Sequence, residues 1–333
     1  MDDRMTPRNA PDVAGLTYRR FRGESDFPGM VAVRDACMPV DDMEWPVTVE
    51  DLERDFAHLV NCDPYQDMIF AQVDGEMVGY GQTSWYQETD GTRLYNHWGN
   101  VAPEWRRRGI GSAILTWLED RQRAIAVTHP EDGPRFHQGD SDDRAHATIA
   151  LLRRFDYAVV RRWYEMVRPL AEEISDAPLP DGLEVRPVTP DQYRQIWDAD
   201  VEAFRDHWGF AEPKEEDYQR WLVDPVVMMP ELWQIAWDGD QIAGQVRGFI
   251  NHNENAGQGR LRGYCEFISV RRPWRRRGLA TALIMRTLSI LKEQGMTEAS
   301  LGVDTENPSG ALHLYESCGF RPARSGAVYR KPL

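Results

Sequence analysis

Val101-Ala-Pro-Glu-Trp-Arg-Arg-Arg-Gly-Ile-Gly111 and Val270-Arg-Arg-Pro-Trp-Arg-Arg-Arg-Gly-Leu-Ala280 are two versions of one segment, 169 residues apart. Each follows a run that reads as a strand, residues 95–101 and 264–270. Each precedes an amphipathic pattern that reads as a helix, residues 112–119 and 281–294, with Gly295 placed to cap the second. The first turn of a helix carries unpaired N–H groups and the positive end of the helix dipole. Glycine lets a ligand approach that backbone closely, and flanking arginines add charge-assisted hydrogen bonds to phosphate oxygens. The segment therefore predicts a phosphate or pyrophosphate lying across the helix start. Three arginines in a row also fit a solvated turn. The strand before, the helix after and the repetition favour the anion site. Trp105 and Trp274, just ahead of the arginines, read as packing between loop and core.

The repeat extends outward from this segment. Met68-Ile-Phe-Ala-Gln-Val73, Asp74-Gly75 and Glu76-Met-Val-Gly-Tyr80 read as a hairpin, because Asp-Gly tolerates the positive φ of a tight turn. Trp233-Gln-Ile-Ala-Trp237, Asp238-Gly239 and a strand from Gln241 repeat it. Gly109 and Gly278 differ by 169 positions, and Asp74 and Asp238 by 164, which argues for duplication of a whole domain. Short strands from Leu16 and Leu183 open each half. Ala177-Pro-Leu-Pro-Asp-Gly182 reads as a linker. The expected layout is an N-terminal domain over 14–170, a linker over 171–182 and a C-terminal domain over 183–333. Strands and helices mix within each half. The class is therefore α/β or α+β, with a mixed, mostly antiparallel sheet flanked by helices.

Composition narrows the function. Hydrophobic residues make up 41% of the 333 and aromatics 11%, so packed domains are expected. The net charge of −15 disfavours nucleic acid, whose binding rests on cationic surface, and favours a cationic acceptor such as an amine. Cys37, Cys62, Cys265 and Cys318 match no zinc or disulfide pattern. His97, His129, His137, His146, His252 and His313 show no metal spacing and read mostly as solvated, so no metal is expected. The opening MDDRMTPRNA has no apolar core, and no run reaches the length of a membrane span. A soluble, cytoplasmic protein is expected. The glycine spacing fits neither a dinucleotide fold nor a P-loop.

With these residues on the page, the sequence resembles the GNAT superfamily of N-acetyltransferases, in a tandem two-domain form spanning most of both halves. The family pattern Val-x-Pro-x-x-[Arg/Gln]-x-x-Gly-x-[Gly/Ala] is matched by Val101, Pro103, Arg106, Gly109 and Gly111, and by Val270, Pro273, Arg275, Gly278 and Ala280. The proline sits two places after Val101 and three after Val270. The resemblance implies acetyl-CoA as cosubstrate. Its pyrophosphate would lie on the loops Arg106, Arg107, Arg108, Gly109, Ile110, Gly111 and Arg275, Arg276, Arg277, Gly278, Leu279, Ala280. The pantetheine arm would lie in a splay between the fourth and fifth strands. A backbone N–H among Ile268, Ser269 and Val270 would reach the thioester oxygen.

Asn307-Pro-Ser-Gly-Ala-Leu-His-Leu-Tyr315-Glu-Ser-Cys-Gly319-Phe320 follows the family's Asn-x-x-Ala-x-x-Leu-Tyr-x-x-x-Gly-Phe with one extra residue. The resemblance makes Asn307 a contact to the CoA arm and Tyr315 the acid that protonates the departing thiolate. Alone, Tyr315 reads as a buried helix aromatic. In the first half, aligning Asp156-Tyr157 with Gly319-Phe320 puts Leu152 opposite Tyr315 and Arg144 opposite Asn307. Residues 128–143 are polar and Pro/Gly-rich where a fifth strand is expected. Catalysis is therefore expected in the second half only. Glu266 shares strand parity with Ile268 and Val270 and is the candidate base; pairing with a nearby arginine is its other reading. On the acceptor side, Asp206 has the charge to hold an amine and Trp208 the ring to stack over it. The same stretch also reads as an ordinary helix end capped by Gly209. The expected reaction is acetyl transfer from acetyl-CoA to a primary amine of a small molecule. The alternative is a non-enzymatic acyl-CoA sensor.

Overall fold

A computed structural model describes residues 3–307 and 310–333; Pro308 and Ser309 of the Asn307 motif lie outside the described residues. In chain order the first half carries β1 (Arg4–Met5), β2 (Leu16–Arg19), α1 (Phe27–Asp41), α2 (Val49–Ala57), α3 (Pro64–Asp67), β3 (Met68–Val73), β4 (Glu76–Gln87), β5 (Arg93–Val101), α4 (Ile110–Ala126), β6 (Arg135–Asp142) and α5 (His146–Arg154). Then follow β7 (Ala158–Pro169), β8 (Glu184–Val185), α6 (Tyr193–Phe204), α7 (Glu215–Val223), β9 (Trp233–Asp238), β10 (Gln241–Phe249), α8 (His252–Gln258), β11 (Arg262–Val270), α9 (Leu279–Glu293), β12 (Glu298–Asp304), α10 (Ala311–Ser317) and β13 (Arg321–Pro332).

Both expected hairpins form. Asp74 and Gly75, at φ 50° and 91°, make the two-residue turn between Val73 and Glu76. In the second copy Asp238 pairs with Gln241, so Gly239 (φ 58°) and Asp240 form the turn. The landmark is shared but shifted by one residue. Gly295, at φ 81°, caps α9 as its sequence suggested.

The chain forms two compact units, and their borders differ from the expected 14–170 and 183–333. The first runs to Val160 and takes in Gly326–Leu333; the second is Arg161–Ser325. The reason is strand pairing. Residues 163–169 of β7 pair antiparallel with β12, inside the second unit. Residues 326–332 of β13 pair antiparallel with β6, inside the first. Each unit thus receives its last strand from the stretch of chain that follows the other copy's Asp156 or Gly319 turn, both at positive φ. The sheet of the first unit runs β1-β2-β3-β4-β5-β6-β13; that of the second runs β7-β12-β11-β10-β9-β8. Only β5 with β6 and β11 with β12 are parallel among these pairs. The sheets are mixed and mostly antiparallel, as expected.

Strand alternation builds apolar cores on both faces of each sheet. Ile69, Ala71 and Val73 of β3 pack under α4 with Ile110, Ala113, Ile114 and Leu118. Met68 and Phe70 point the other way, onto Phe27, Met30 and Val33 of α1. In the second unit Trp233, Ile235 and Trp237 of β9 meet Ile196 of α6 and Trp221 of α7. Ala236 lies on the opposite face, with Leu279, Leu283 and Leu288 of α9. Burying each large apolar side chain contributes about 1.5–3 kcal/mol. Residues 135–142 are a strand despite their polar sequence. Hydrogen bonds offset part of their burial: His137 Nδ1 bonds Gln122 Oε1, and Gln122 Nε2 donates to Thr83 Oγ1 at 2.8 Å.

Candidate active site

The two glycine loops adopt one conformation. Gly109 and Gly278 sit in the left-handed region, at φ 88° and 83°, as the N-caps of α4 and α9. Arg107 and Arg276 share that region, at φ 63° and 60°. Positive φ at alternate residues curls successive N–H groups into a concavity suited to an anion. Neither helix has a side chain capping its N-terminus. Around Gly278 an added Cβ would meet nothing within 4 Å. A Cβ on Gly111 would make ordinary contact with Leu151 at 3.6 Å, which is why Ala280 can stand at the matching place. Arg107, Arg108, Arg276 and Arg277 are exposed. Arg108 lies over Trp105, 4.5 Å from the ring, and Arg277 donates to the Asp181 carbonyl at 3.2 Å.

The first arginine of each loop is a brace, which corrects its reading as a phosphate ligand. Arg106 Nε donates to the Val101 carbonyl at 2.9 Å, and its fork grips Asp41 at 2.7 and 2.6 Å. Arg275 Nε donates to the Val270 carbonyl at 2.8 Å and Nη1 to Asp206 at 2.8 Å. Asp206 also pairs with Arg272, and the two guanidiniums hold its carboxyl well below the usual range. Asp206 is therefore already committed to the loop rather than open to an amine. Trp208 has the Arg161 guanidinium over its ring at 5.1 Å. Trp274 is buried, as expected, and its indole N–H donates to Asp238 at 2.8 Å.

Beyond the loop, β11 parts from its neighbour. Its parallel pairing with β12 runs from Arg262 to Tyr264, ahead of Glu266, Ile268, Ser269 and Val270. Glu266 crosses the opening: its Oε1 accepts the Gly302 N–H at 2.6 Å. It is half-buried, and desolvation pushes its carboxyl up to about 7, against the pull of the Gly302 N–H and with help from Glu165. The expected parity fails here. Gln245 pairs with Ser269 but Arg247 pairs with Glu266, so β11 holds one extra residue, a β-bulge at Phe267 (φ 52°). Glu266 thus shares its face with Ser269, while Ile268 and Val270 pack on the α9 core. Tyr315 of α10 is buried in that same core, and burial pushes its phenol above its ordinary value. Asn307 follows β12, its N–H bonded to the Asp304 carbonyl at 3.2 Å.

The model of the acetyltransferase (GNAT) family matches residues 30–129 and 193–320. The chain belongs to the acetyltransferase (GNAT) family. It is 28% identical over 274 residues to a mycothiol acetyltransferase from Salinispora tropica, covering 77% of this chain and 78% of that one. A GCN5-related N-acetyltransferase from Sphaerobacter thermophilus superposes with a TM-score of 0.72 at 24% identity, over 97% of this chain and 96% of that one. A tandem GNAT protein from the clavulanic acid biosynthesis pathway superposes with a TM-score of 0.67 at 14% identity, over 95% and 98%. These two share the fold. Among the described residues no helix is long and apolar enough to cross a membrane.

The first GNAT unit keeps the loop and changes the rest. The 169-residue offset puts His97 at the place of Glu266. His97 is buried rather than solvated; its Nε2 shares a hydrogen bond with the Tyr157 hydroxyl at 2.9 Å. Desolvation pushes it down to about 4, and buried His137 to about 3, so both stay neutral. A Cβ on Gly139 would lie 2.8 Å from the His97 ring, so the imidazole packs closely against β6. Leu152 is buried opposite Tyr315, and Arg144 is paired with Asp42. Pro11 lies 3.0 Å from the Cβ position of Gly109, which crowds this loop where Gly278 is open. Sequence reasoning read His97 as solvated, though the offset pointed to it, and passed over Asp200 and Arg247, which had no local signal.

Proposed function

We propose that the second unit moves acetyl from acetyl-CoA to a primary amine of a small molecule by direct attack. The observation that carries this is Glu266, bridging the split between β11 and β12 with its carboxyl pushed up to about 7. An amine must lose a proton to attack a thioester, and a base poised near neutrality suits that task. The balance of the step is simple. The amine nitrogen bonds to the acetyl carbon, Glu266 takes the amine proton, the C–S bond breaks, and the thiolate takes the Tyr315 proton. Burial keeps that phenol protonated through the working range. The backbone of Ile268, Ser269 and Val270 supplies a donor for the developing oxyanion. The N–H groups of residues 276–280 hold the pyrophosphate, with Arg276 and Arg277 beside it, and Asn307 meets the CoA arm. The first unit holds its fold without turning over.

The mycothiol acetyltransferase relatives support a small-molecule amine acceptor. Conversion of acetyl-CoA to CoA, resolved by chromatography with glucosamine, spermidine and cysteamine as acceptors, tests the reading. Turnover with at least one amine is expected. CoA binding without turnover on any of them would favour the sensor. Wild-type kcat/KM should rise with pH through about 7 as Glu266 ionises. Glu266→Gln should lower it by about 10²-fold and flatten that limb. A Gln variant that kept the limb would exclude Glu266 as the base.

A further inference from the structure

The bulge in β11 has no counterpart in the first unit. There β4 and β5 pair without a slip from Gly79 with Val101 to Gln87 with Arg93. Trp98, 169 positions before Phe267, has no positive φ and pairs regularly with Gln82. Phe267 is a bulky residue in the left-handed region, which side chains with a Cβ disfavour. Something must hold it there.

Around it lies a buried ion pair. Arg247 is 1% exposed and Asp200 9%. Arg247 Nη2 donates to Asp200 Oδ2 at 2.5 Å, and the Ser269 hydroxyl donates to Asp200 Oδ1 at 2.8 Å. The guanidinium carbon lies 4.1 Å from the centre of the Phe267 ring and 5.0 Å from that of Trp221. Among the described residues its Nε and Nη1 have no hydrogen-bond partner. A buried pair with donors left over is a poor stabiliser compared with an apolar core of the same volume. Its contacts are distinctive in another way: Asp200 holds the residue after the bulge, and Arg247 covers the bulge residue itself. In the first unit Gln82 and Asn100 stand at the places of Arg247 and Ser269, and the strand there is regular.

We infer that Asp200 and Arg247 are positioning residues that clamp the Phe267 bulge of β11. The bulge moves Glu266 to the Ser269 face and frees the following backbone from regular alternation. The inference rests on the acetyl-transfer reading for its kinetic consequence, though not for its structural one.

The test uses the whole protein, acetyl-CoA and the best acceptor among glucosamine, spermidine and cysteamine. Asp200→Asn should lower kcat by about 10²–10³-fold, the scale of losing one aligned oxyanion donor, with KM for acetyl-CoA within about twofold, because the glycine loop is separate. Glycine adopts positive φ at no steric cost. Adding Phe267→Gly to Asp200→Asn should therefore recover kcat about tenfold, whereas two merely structural lesions would compound. A double variant no better than Asp200→Asn overturns the clamp. Should Asp200→Asn fail to fold, Ser269→Ala, alone and with Phe267→Gly, gives the same comparison from the loss of one hydrogen bond. Amide exchange at residues 268–270 is read in parallel: faster in the single variant and slowed again in the double. Exchange unchanged in the single variant also overturns the clamp. If the wild type turns over no amine, the acetyl-transfer reading fails while amide exchange still decides this one.

Discussion

The two halves of this chain carry nearly the same loop and quite different surroundings. Around Gly109 and around Gly278 the backbone angles are alike, φ 88° and 83° with ψ −11° and 1°, and the bracing arginine makes the same bond to the preceding valine carbonyl. One strand earlier the copies part. Where β11 has a bulge, a half-buried carboxylate and a tyrosine behind it, β5 has regular pairing, a neutral histidine and a leucine. The loop and its brace serve helix packing as well as any ligand, so they persist without chemistry. Glu266 accepts the Gly302 N–H across the split, but a carboxylate in a desolvated slot lowers stability once ionised, which suits the base role proposed for it better than a purely structural one.

This comparison can be broken at several levels. The largest effect is expected from Gly278→Glu, which forces a side chain into φ 83° and sets a negative charge in the anion cradle. Losing two charge-assisted hydrogen bonds at about 1.5–3 kcal/mol each predicts a KM for acetyl-CoA raised about 10³-fold. Gly109→Glu should leave that KM within about twofold; an equal loss from both would give the first unit a direct share in turnover. Next, Tyr315→Phe should lower kcat by about 10²-fold by removing the acid, measured under saturating acetyl-CoA. Leu152→Tyr should restore nothing to the first unit when the second carries Tyr315→Phe, because His97, pushed down to about 4, is too weak a base to replace Glu266. The smallest catalytic effect is expected from Tyr329→Ala. Tyr329 is 2% exposed among Leu115, Ile149 and Leu152, so its loss should destabilise the first unit by about 3 kcal/mol. Hydrogen exchange should quicken in β6 and not in β12; the reverse would contradict the strand assignment.

Much of the architecture was legible because it is written locally. Asp-Gly turns, alternating strands and a helix opened by glycine each carry their own periodicity, and a repeat doubles every signal. The features that escaped are long-range. A strand's alternation is the same whichever neighbour it pairs with, so nothing in residues 326–332 names β6 as the partner. The bulge shifts parity by one residue through contacts with Asp200, which lies 67 positions from Phe267. Arg275 looked like a phosphate ligand until Asp206, distant in sequence, came to meet it. Residues 135–142 look like a loop because their burial is offset by partners such as Gln122 rather than by apolar side chains.

The exchange of final strands also sets an order of events during synthesis. At about 5–20 residues per second, the residues between Val160 and Gly326 occupy the ribosome for roughly 8–33 s. Through that interval the first unit has β6 made and its antiparallel partner not yet translated. The half that comes first is thus the one that finishes last, and a chain cut short anywhere in the second half leaves its neighbour incomplete as well.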